Sequence, residues 1–237
     1  MRRFRDLIIV AAVVALALSS IGAPVSAAGK GKIAFVNGWP GKIVDLCINN
    51  REVKSNVRYG QIVYRTLSGG FKTFKVYKKD PRSCRGQLLG KQSFGLPGGS
   101  DHTIVLTRFA PRILNFDNED FGAIVPGNYS QWFWRNASDI PSVSLDLDFD
   151  FPTPGPTAPA VDPPWTKGDQ FFFPFLVPPG SLLVATTAWS IADTLISLGK
   201  PDARLVENLV RYEWIIVGTN QFNARHVLVQ RAVPPIS

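Results

Sequence analysis

Hydrophobic and polar positions in this chain alternate in short runs, the period of a β-strand rather than a helix. Ile33-Ala-Phe-Val36, Ile43 to Ile48, Phe74 to Tyr77 and Thr103 to Leu106 are β-branched or aromatic and bounded by turn residues. Gly69-Gly70, Asp80-Pro81 and Pro97-Gly98-Gly99 punctuate them. Further on, Val143 to Phe151 alternates almost throughout. Val143, Leu145, Leu147, Phe149 and Phe151 share one face, and Ser144, Asp146, Asp148 and Asp150 share the other. Phe171 to Leu176, Leu182 to Trp189, Leu195 to Leu198, Tyr212 to Val217 and His226 to Val229 supply further strands, whereas Ser190 to Asn208 leaves room for a helical turn. Strands so spaced, without helical periodicity between them, predict an all-β chain of sandwich type. Within the second strand, Val44, Leu46 and Ile48 are expected to face the core opposite Asp45. Cys47 shares the parity of Asp45, so it is expected near an edge or bulge.

One strand pattern occurs twice. Phe35-Val-Asn-Gly-Trp-Pro-Gly-Lys-Ile-Val-Asp-Leu-Cys-Ile-Asn49 is echoed about a hundred residues later by Trp134-Arg-Asn-Ala-Ser-Asp-Ile-Pro-Ser-Val-Ser-Leu-Asp-Leu147. In both, an aromatic strand end enters an Asn-containing turn with Pro and leaves as an alternating strand carrying Asp. A repeat of that length predicts two domains of one kind rather than a solenoid. Residues 1–28 have the form of a cleaved signal peptide: Arg2, Arg3 and Arg5, an apolar run from Leu7 to Leu18, then Val25-Ser-Ala27. The run falls short of the roughly 20 residues a membrane span needs, so no transmembrane anchor is expected in the mature chain. The expected organisation is a signal peptide (1–28), a first β-sandwich (29–118) and a second (119–237). The Pro-rich stretch 152–164 is read as a long loop inside the second, because the repeat begins before it.

These motifs resemble a secreted bacterial family catalogued as domain of unknown function 4397. The first copy supplies Phe35-Val-Asn-Gly-Trp-Pro40, Val44-Asp-Leu-Cys-Ile-Asn49, Leu67-Ser-Gly-Gly-Phe71 and Pro97-Gly-Gly-Ser-Asp-His-Thr-Ile-Val105. The second supplies Asn136-Ala-Ser-Asp139, Val143-Ser-Leu-Asp-Leu147, Val177-Pro-Pro-Gly-Ser181 and Tyr212-Glu-Trp-Ile-Ile-Val217. The family's turn His is replaced by Asn37 and Asn136, and the Pro-rich insertion is a second departure. The resemblance implies tandem immunoglobulin-like β-sandwiches outside the cell, and no reaction.

Charge divides the chain. The formal net charge is +8, yet Lys30 to Arg112 holds sixteen Lys/Arg against four Asp/Glu, and Ile113 to the end holds seven against thirteen. Such asymmetry bears on partners rather than fold. One reading is independent solvation of two domains. The sharper one sends the basic half to a polyanion through Lys72, Lys75, Lys78, Lys79, Arg82 and Arg85 on a strand and hairpin near Cys84. Export leaves nucleic acid out and makes anionic envelope polymer or polysaccharide the expected partner, with a protein partner as a further option.

Cys47 and Cys84, the two cysteines, fit a disulfide in an exported chain, with two buried thiols as the alternative. No catalytic motif is present, and His102 and His226 sit in predicted strands, so the expectation is a non-enzymatic binding or adhesion module without cofactor or metal. Asp146, Asp148 and Asp150 are the best calcium candidate, although same-face carboxylates on a flat strand stand nearly 7 Å apart. The alternative function is carbohydrate binding by Trp39 or Trp165, through stacking of an exposed ring on sugar. Trp132 and Trp134 are instead expected in a core or at the domain junction. Asn128-Tyr-Ser and Asn136-Ala-Ser fit the N-glycosylation sequon.

Overall fold

The computed structural model describes residues 29–117, 130–140, 142–150, 165–166, 170–177, 182–191, 194–197, 202–205, 207, 210–220 and 222–232. Side-chain environments are described for 29–117, 133–140, 207, 210–220 and 222–232. The predicted signal peptide, the Pro-rich loop 152–164 and the Asn128 sequon lie outside the described residues.

Every regular element among these residues is a strand. The first half contains β1 (Lys30–Asn37), β2 (Val44–Ile48), β3 (Arg51–Val57), β4 (Ile62–Ser68), β5 (Gly70–Lys78), β6 (Leu88–Leu96), β7 (Asp101–Leu106) and β8 (Ile113–Asp117). They form two sheets, β4-β1-β7-β8 and β3-β2-β5-β6. Alternate residues of both sheets, among them Ile33, Phe35, Leu46, Ile48, Phe74, Val76, Ile104 and Leu106, close one apolar core. That is a β-sandwich, and Val44, Leu46 and Ile48 face its core as the alternation predicts.

Cys47 sits beside a register irregularity, the second of its two expected settings. Its strand β2 lies between β3 and β5, not at an edge, but the β2–β3 register shifts on either side of Leu46. The segment 79–87 folds over the outer face of β2 and brings Cys84 to Cys47, with a Cα–Cα distance of 6.0 Å. The same cover buries Asp45, whose Oδ1 accepts from Asn56 N (3.0 Å) and whose Oδ2 accepts from Asp80 N (3.3 Å).

The second half contains β9 (Ser130–Ser138), β10 (Ser142–Asp150), β11 (Trp165–Thr166), β12 (Gln170–Val177), β13 (Leu182–Ile191), β14 (Thr194–Ser197), β15 (Asp202–Leu205), β16 (Val210–Gly218) and β17 (Arg225–Ala232). Its sheets run β12-β9-β16-β17 and β11-β10-β13-β14, with β15 also paired to β13. Where a helical turn was allowed for, between Ser190 and Asn208, the described residues form β14 and β15. Pro174 sits in β12, at a sheet edge, within a break in pairing between Phe173 and Val177.

The two halves repeat one pairing scheme. β1 pairs antiparallel with β4 and parallel with β7, and β9 does so with β12 and β16. β2 joins β3 and β5, and β5 joins β6, as β10 joins β11 and β13, and β13 joins β14. Among the described strands, only β15 lacks a counterpart.

The repeated Asn shows how the scheme is held locally. Asn37 ends β1 and Asn136 lies near the end of β9, both buried. Asn37 Oδ1 accepts from Trp39 N (3.1 Å), and Asn136 Oδ1 accepts from Ser138 N (3.1 Å). Their amides donate onward to carbonyls, of Lys42 and Val57 in one copy and of Ile140 in the other. Each side chain thereby satisfies backbone groups where the chain leaves the ladder. Its burial also withdraws Asn136 from glycosylation. We expect Asn37→Ala and Asn136→Ala each to cost about 1–3 kcal/mol by orphaning buried groups. Urea denaturation checks this, and an unchanged midpoint would show that water replaces the amide.

Candidate functional site

Two places concentrate charge: the outer face of β3-β2-β5-β6, and the seam where β4-β1-β7-β8 meets β12-β9-β16-β17. On the outer face, Phe74 and Val76 point to the core, so Thr73, Lys75 and Tyr77 point away from it. Lys75 is paired across the strands with Lys91 on one side and Cys47 on the other. Lys75 Nζ donates to Asn50 Oδ1 (2.7 Å), and the Thr73 and Ser93 hydroxyls hydrogen-bond at 2.9 Å. No carboxylate among the described residues forms an ion pair with Lys75 or Lys91.

The six predicted basic residues do not form one cluster. Lys72 turns back at the β4–β5 junction, where its Nζ donates to Gly69 O (3.2 Å) and Ser68 Oγ (3.4 Å). Lys75 holds the middle of the face. Exposed Lys78 and Lys79 lie at the other end of β5, and exposed Arg82 and Arg85 lie on the cover that Cys84 ties down. Arg82 Nε stands 3.8 Å from Asp80 Oδ1, an exposed pair of little energetic weight. Lys91, which the sequence reading left out, belongs with Lys75. Its signal was the hairpin register, which an isolated motif does not show.

Of the predicted sugar-stacking residues, Trp39 is half-buried against the sandwich core. Its ring carries the Arg112 guanidinium at 4.6 Å and the Lys42 ammonium at 5.9 Å. The side chains of Trp165 and of Asp146, Asp148 and Asp150 lie outside the described residues. Trp134 is buried, with its ring 5.3 Å from that of Trp214. His102 is buried in the first sandwich, 4.9 Å from the Phe94 ring, with Nδ1 3.2 Å from Asn115 Oδ1.

At the seam, Ala34, Val36, Val105 and Phe116 pack on Ala137, Ile215, Val217, Val227 and Val229. Burial on both faces is why the later parts of β7 and β16, Ile104 to Leu106 and Trp214 to Val217, read as continuous apolar runs. Tyr59 reinforces the contact by reaching the Val217 and Asn223 carbonyls. Burial pushes its hydroxyl up to about 12, against the opposing pull of Arg225, whose guanidinium lies 3.9 Å from the ring. Gly60 keeps this contact open, since it adopts a positive φ and a Cβ there would run into that guanidinium.

Beside the apolar contact lies a charged cluster that the sequence reading missed. Arg135 Nη1 donates to Glu213 Oε2 at 2.7 Å, with both side chains fully buried. The Thr103 hydroxyl donates to the same oxygen at 2.6 Å, from the other half. Arg231 Nη2 donates to His102 O (2.8 Å) and Thr103 Oγ1 (3.0 Å). Asp101 pairs with Arg231 and, at 3.4 Å, with Arg211. The Arg135 guanidinium lies 4.4 Å from the Phe116 ring. Burial draws Arg135 down to about 10, opposed chiefly by Glu213, and draws Arg231 down to about 10, opposed by Tyr64. Arg135 and Arg231 therefore stay charged at neutral pH. This cluster joins the halves and presents no free nucleophile or base.

No family model matches the chain, and no curated protein matches it. Among solved structures, the chain is similar to a candidate cell adhesion protein from Bacteroides eggerthii. That likeness has a TM-score of 0.27 and 6% identity, over 89% of this chain and 97% of the other. Values this low carry no function from one protein to the other. The disulfide is formed, and no helix among the described residues is long and apolar enough to cross a membrane.

Proposed function

We propose that the protein is a non-enzymatic, extracellular or envelope-associated adhesion module, built from two immunoglobulin-like β-sandwiches of the kind its family resemblance implies. Its first half contacts an anionic envelope polymer or polysaccharide. The observation that carries this reading is the placement of Lys75 directly opposite Lys91 on an outward sheet face. Like charges facing each other across a ladder repel. A polyanion lying over them removes the repulsion and also meets Lys78, Lys79, Arg82 and Arg85 at one end. The disulfide supports an oxidising compartment, and burial of His102 removes an obvious general base from the surface.

Polymer binding should weaken steeply with salt, because exposed charges are screened over about 8–10 Å near physiological ionic strength. Reversing Lys75, Lys78, Lys79 and Lys91 to Glu should abolish co-sedimentation with isolated anionic polymer, whereas neutralising Asp146, Asp148 and Asp150 should not. Binding that ignores salt, survives the four reversals and disappears with Trp39→Ala or Trp165→Ala would overturn this reading in favour of sugar stacking.

A further inference from the structure

We propose that one end of the molecule, shared by both halves, docks on an anionic lipid bilayer. β1 runs parallel to β7 as β9 runs parallel to β16, and each pair closes with the same bond, Gly38 N to Leu106 O (3.0 Å) and Asp139 N to Gly218 O (2.9 Å). Those two exits lie side by side. Gly38 sits against the Val217 side chain, Arg108 Nε stands 3.9 Å from Asp139 Oδ2, and Tyr59 reaches Asn223 O. Both sandwiches therefore turn the same end outward. Asn37 Nδ2 brings the Lys42 and Val57 carbonyls to this end, and Lys79 N donates to Ile43 O (2.9 Å).

Of the five large hydrophobic side chains exposed among the described residues, Ile43 (40%), Leu88 (47%) and Phe222 (88%) stand at this end. The end of β5, with exposed Lys78 and Lys79, runs between Ile43 and Leu88. Phe222 is on the turn from β16 to β17, which a closed set of bonds holds in shape. Its N donates to Asn220 Oδ1 (3.0 Å), Thr219 N donates to Asn223 Oδ1 (2.7 Å), and Ala224 N donates to Asn220 O (2.9 Å). Beside that turn are exposed Arg225, over the Tyr59 ring, and exposed Arg58, next to Tyr59 in the chain. The described carboxylates at this end are Asp45, which is buried, Asp80, which pairs with Arg82, and Asp139, which pairs with Arg108. The end is thus basic and apolar at once, with its apolar side chains interleaved by cations. A protein partner favours the reverse arrangement, an apolar centre depleted of charge. An anionic polymer has no use for Phe222. A bilayer surface takes both, because apolar side chains enter between the headgroups while Lys and Arg stems follow and their charges meet lipid phosphates. Lys75 and Lys91 lie on the outer sheet face rather than at its end, so this contact and the polymer contact can succeed or fail separately.

The test is co-sedimentation of the processed chain, residues 29–237, with vesicles of phosphatidylglycerol and phosphatidylcholine in equal parts, and with phosphatidylcholine alone. Residues 1–28 are left out because the run from Leu7 to Leu18 would itself partition into lipid, and no described strand includes them. We expect binding to the mixed vesicles and none to phosphatidylcholine alone. Ile43→Ser/Phe222→Ser should weaken it about tenfold or more at an unchanged Tm, since both side chains are exposed in the folded protein. Ile43→Val/Phe222→Trp should retain it, and so should Lys75→Ala/Lys91→Ala. Failure to bind the mixed vesicles, or equal binding to both kinds, would overturn the proposal. So would binding that the double Ser variant leaves unchanged, which would reduce the contact to charge alone.

Discussion

Replacing Glu213 by Leu is expected to destabilise the protein by about 3–5 kcal/mol, since Arg135, a fully buried charge, would lose the carboxylate at 2.7 Å. A domain's whole stability is about 5–15 kcal/mol, so the loss should be visible as a large fall in the urea midpoint at unchanged slope. The Thr103 hydroxyl would lose its acceptor at the same time, so the damage reaches across the seam. The double variant Arg135→Met/Glu213→Leu should recover most of the loss. It removes the desolvation penalty of both ions and leaves an apolar contact beside Phe116 and Phe133. A double variant no more stable than Glu213→Leu would instead show that the pair makes a net stabilising contribution. The single variant Arg135→Met completes the cycle, and the three changes together give the coupling energy between the two residues.

Why this cluster escaped a reading of the sequence is a matter of what one strand can reveal. Alternation identified the inward face of β2 and the presence of β1, β5, β7, β10, β16 and β17, because a half-buried strand writes its environment into every second residue. The four motif pairs of the repeat fall at corresponding places in the strand order, three of them on strands. Phe35 and Trp134 lie on β1 and β9, Val44 and Val143 on β2 and β10, and Val105 and Tyr212 to Val217 on β7 and β16. The Leu67 and Val177 motifs begin on β4 and β12, just before β5 and β13. The residues of the seam carried a weaker signal. Arg211 and Glu213 alternate with Tyr212 and Trp214, which alone reads as an ordinary strand with one wet face. Only the covering sheet, contributed by residues about a hundred positions away, turns that face into an interior. The unbroken apolar stretches of Ile104 to Leu106 and of Trp214 to Val217 were the available hint that a second layer lay outside. The like-charge pair Lys75–Lys91 was hidden for a related reason, since its register depends on where the β5–β6 connection closes.

Removing the disulfide by Cys47→Ala/Cys84→Ala is expected to cost about 3–4 kcal/mol, given its sequence separation of 37 residues and the loop-entropy relation. For a chain of this size that corresponds to a fall in Tm of about 6–16 °C. The sheet should survive, because β2 is held by β3 and β5 on both sides independently of the sulfur bridge. What should loosen is the cover 79–87, which shields Asp45 and carries Lys79, Arg82 and Arg85. Lys75 and Lys91 stand on strands and should keep their places, so polymer binding is expected to weaken in part rather than vanish. Loss as complete as that of the four charge reversals would move the contact surface onto the cover itself. Thiol titration of the unfolded, non-reduced protein supplies the premise for both measurements. It should find no reactive thiol, and two reactive thiols would remove the bridge, together with the entropy loss predicted from it.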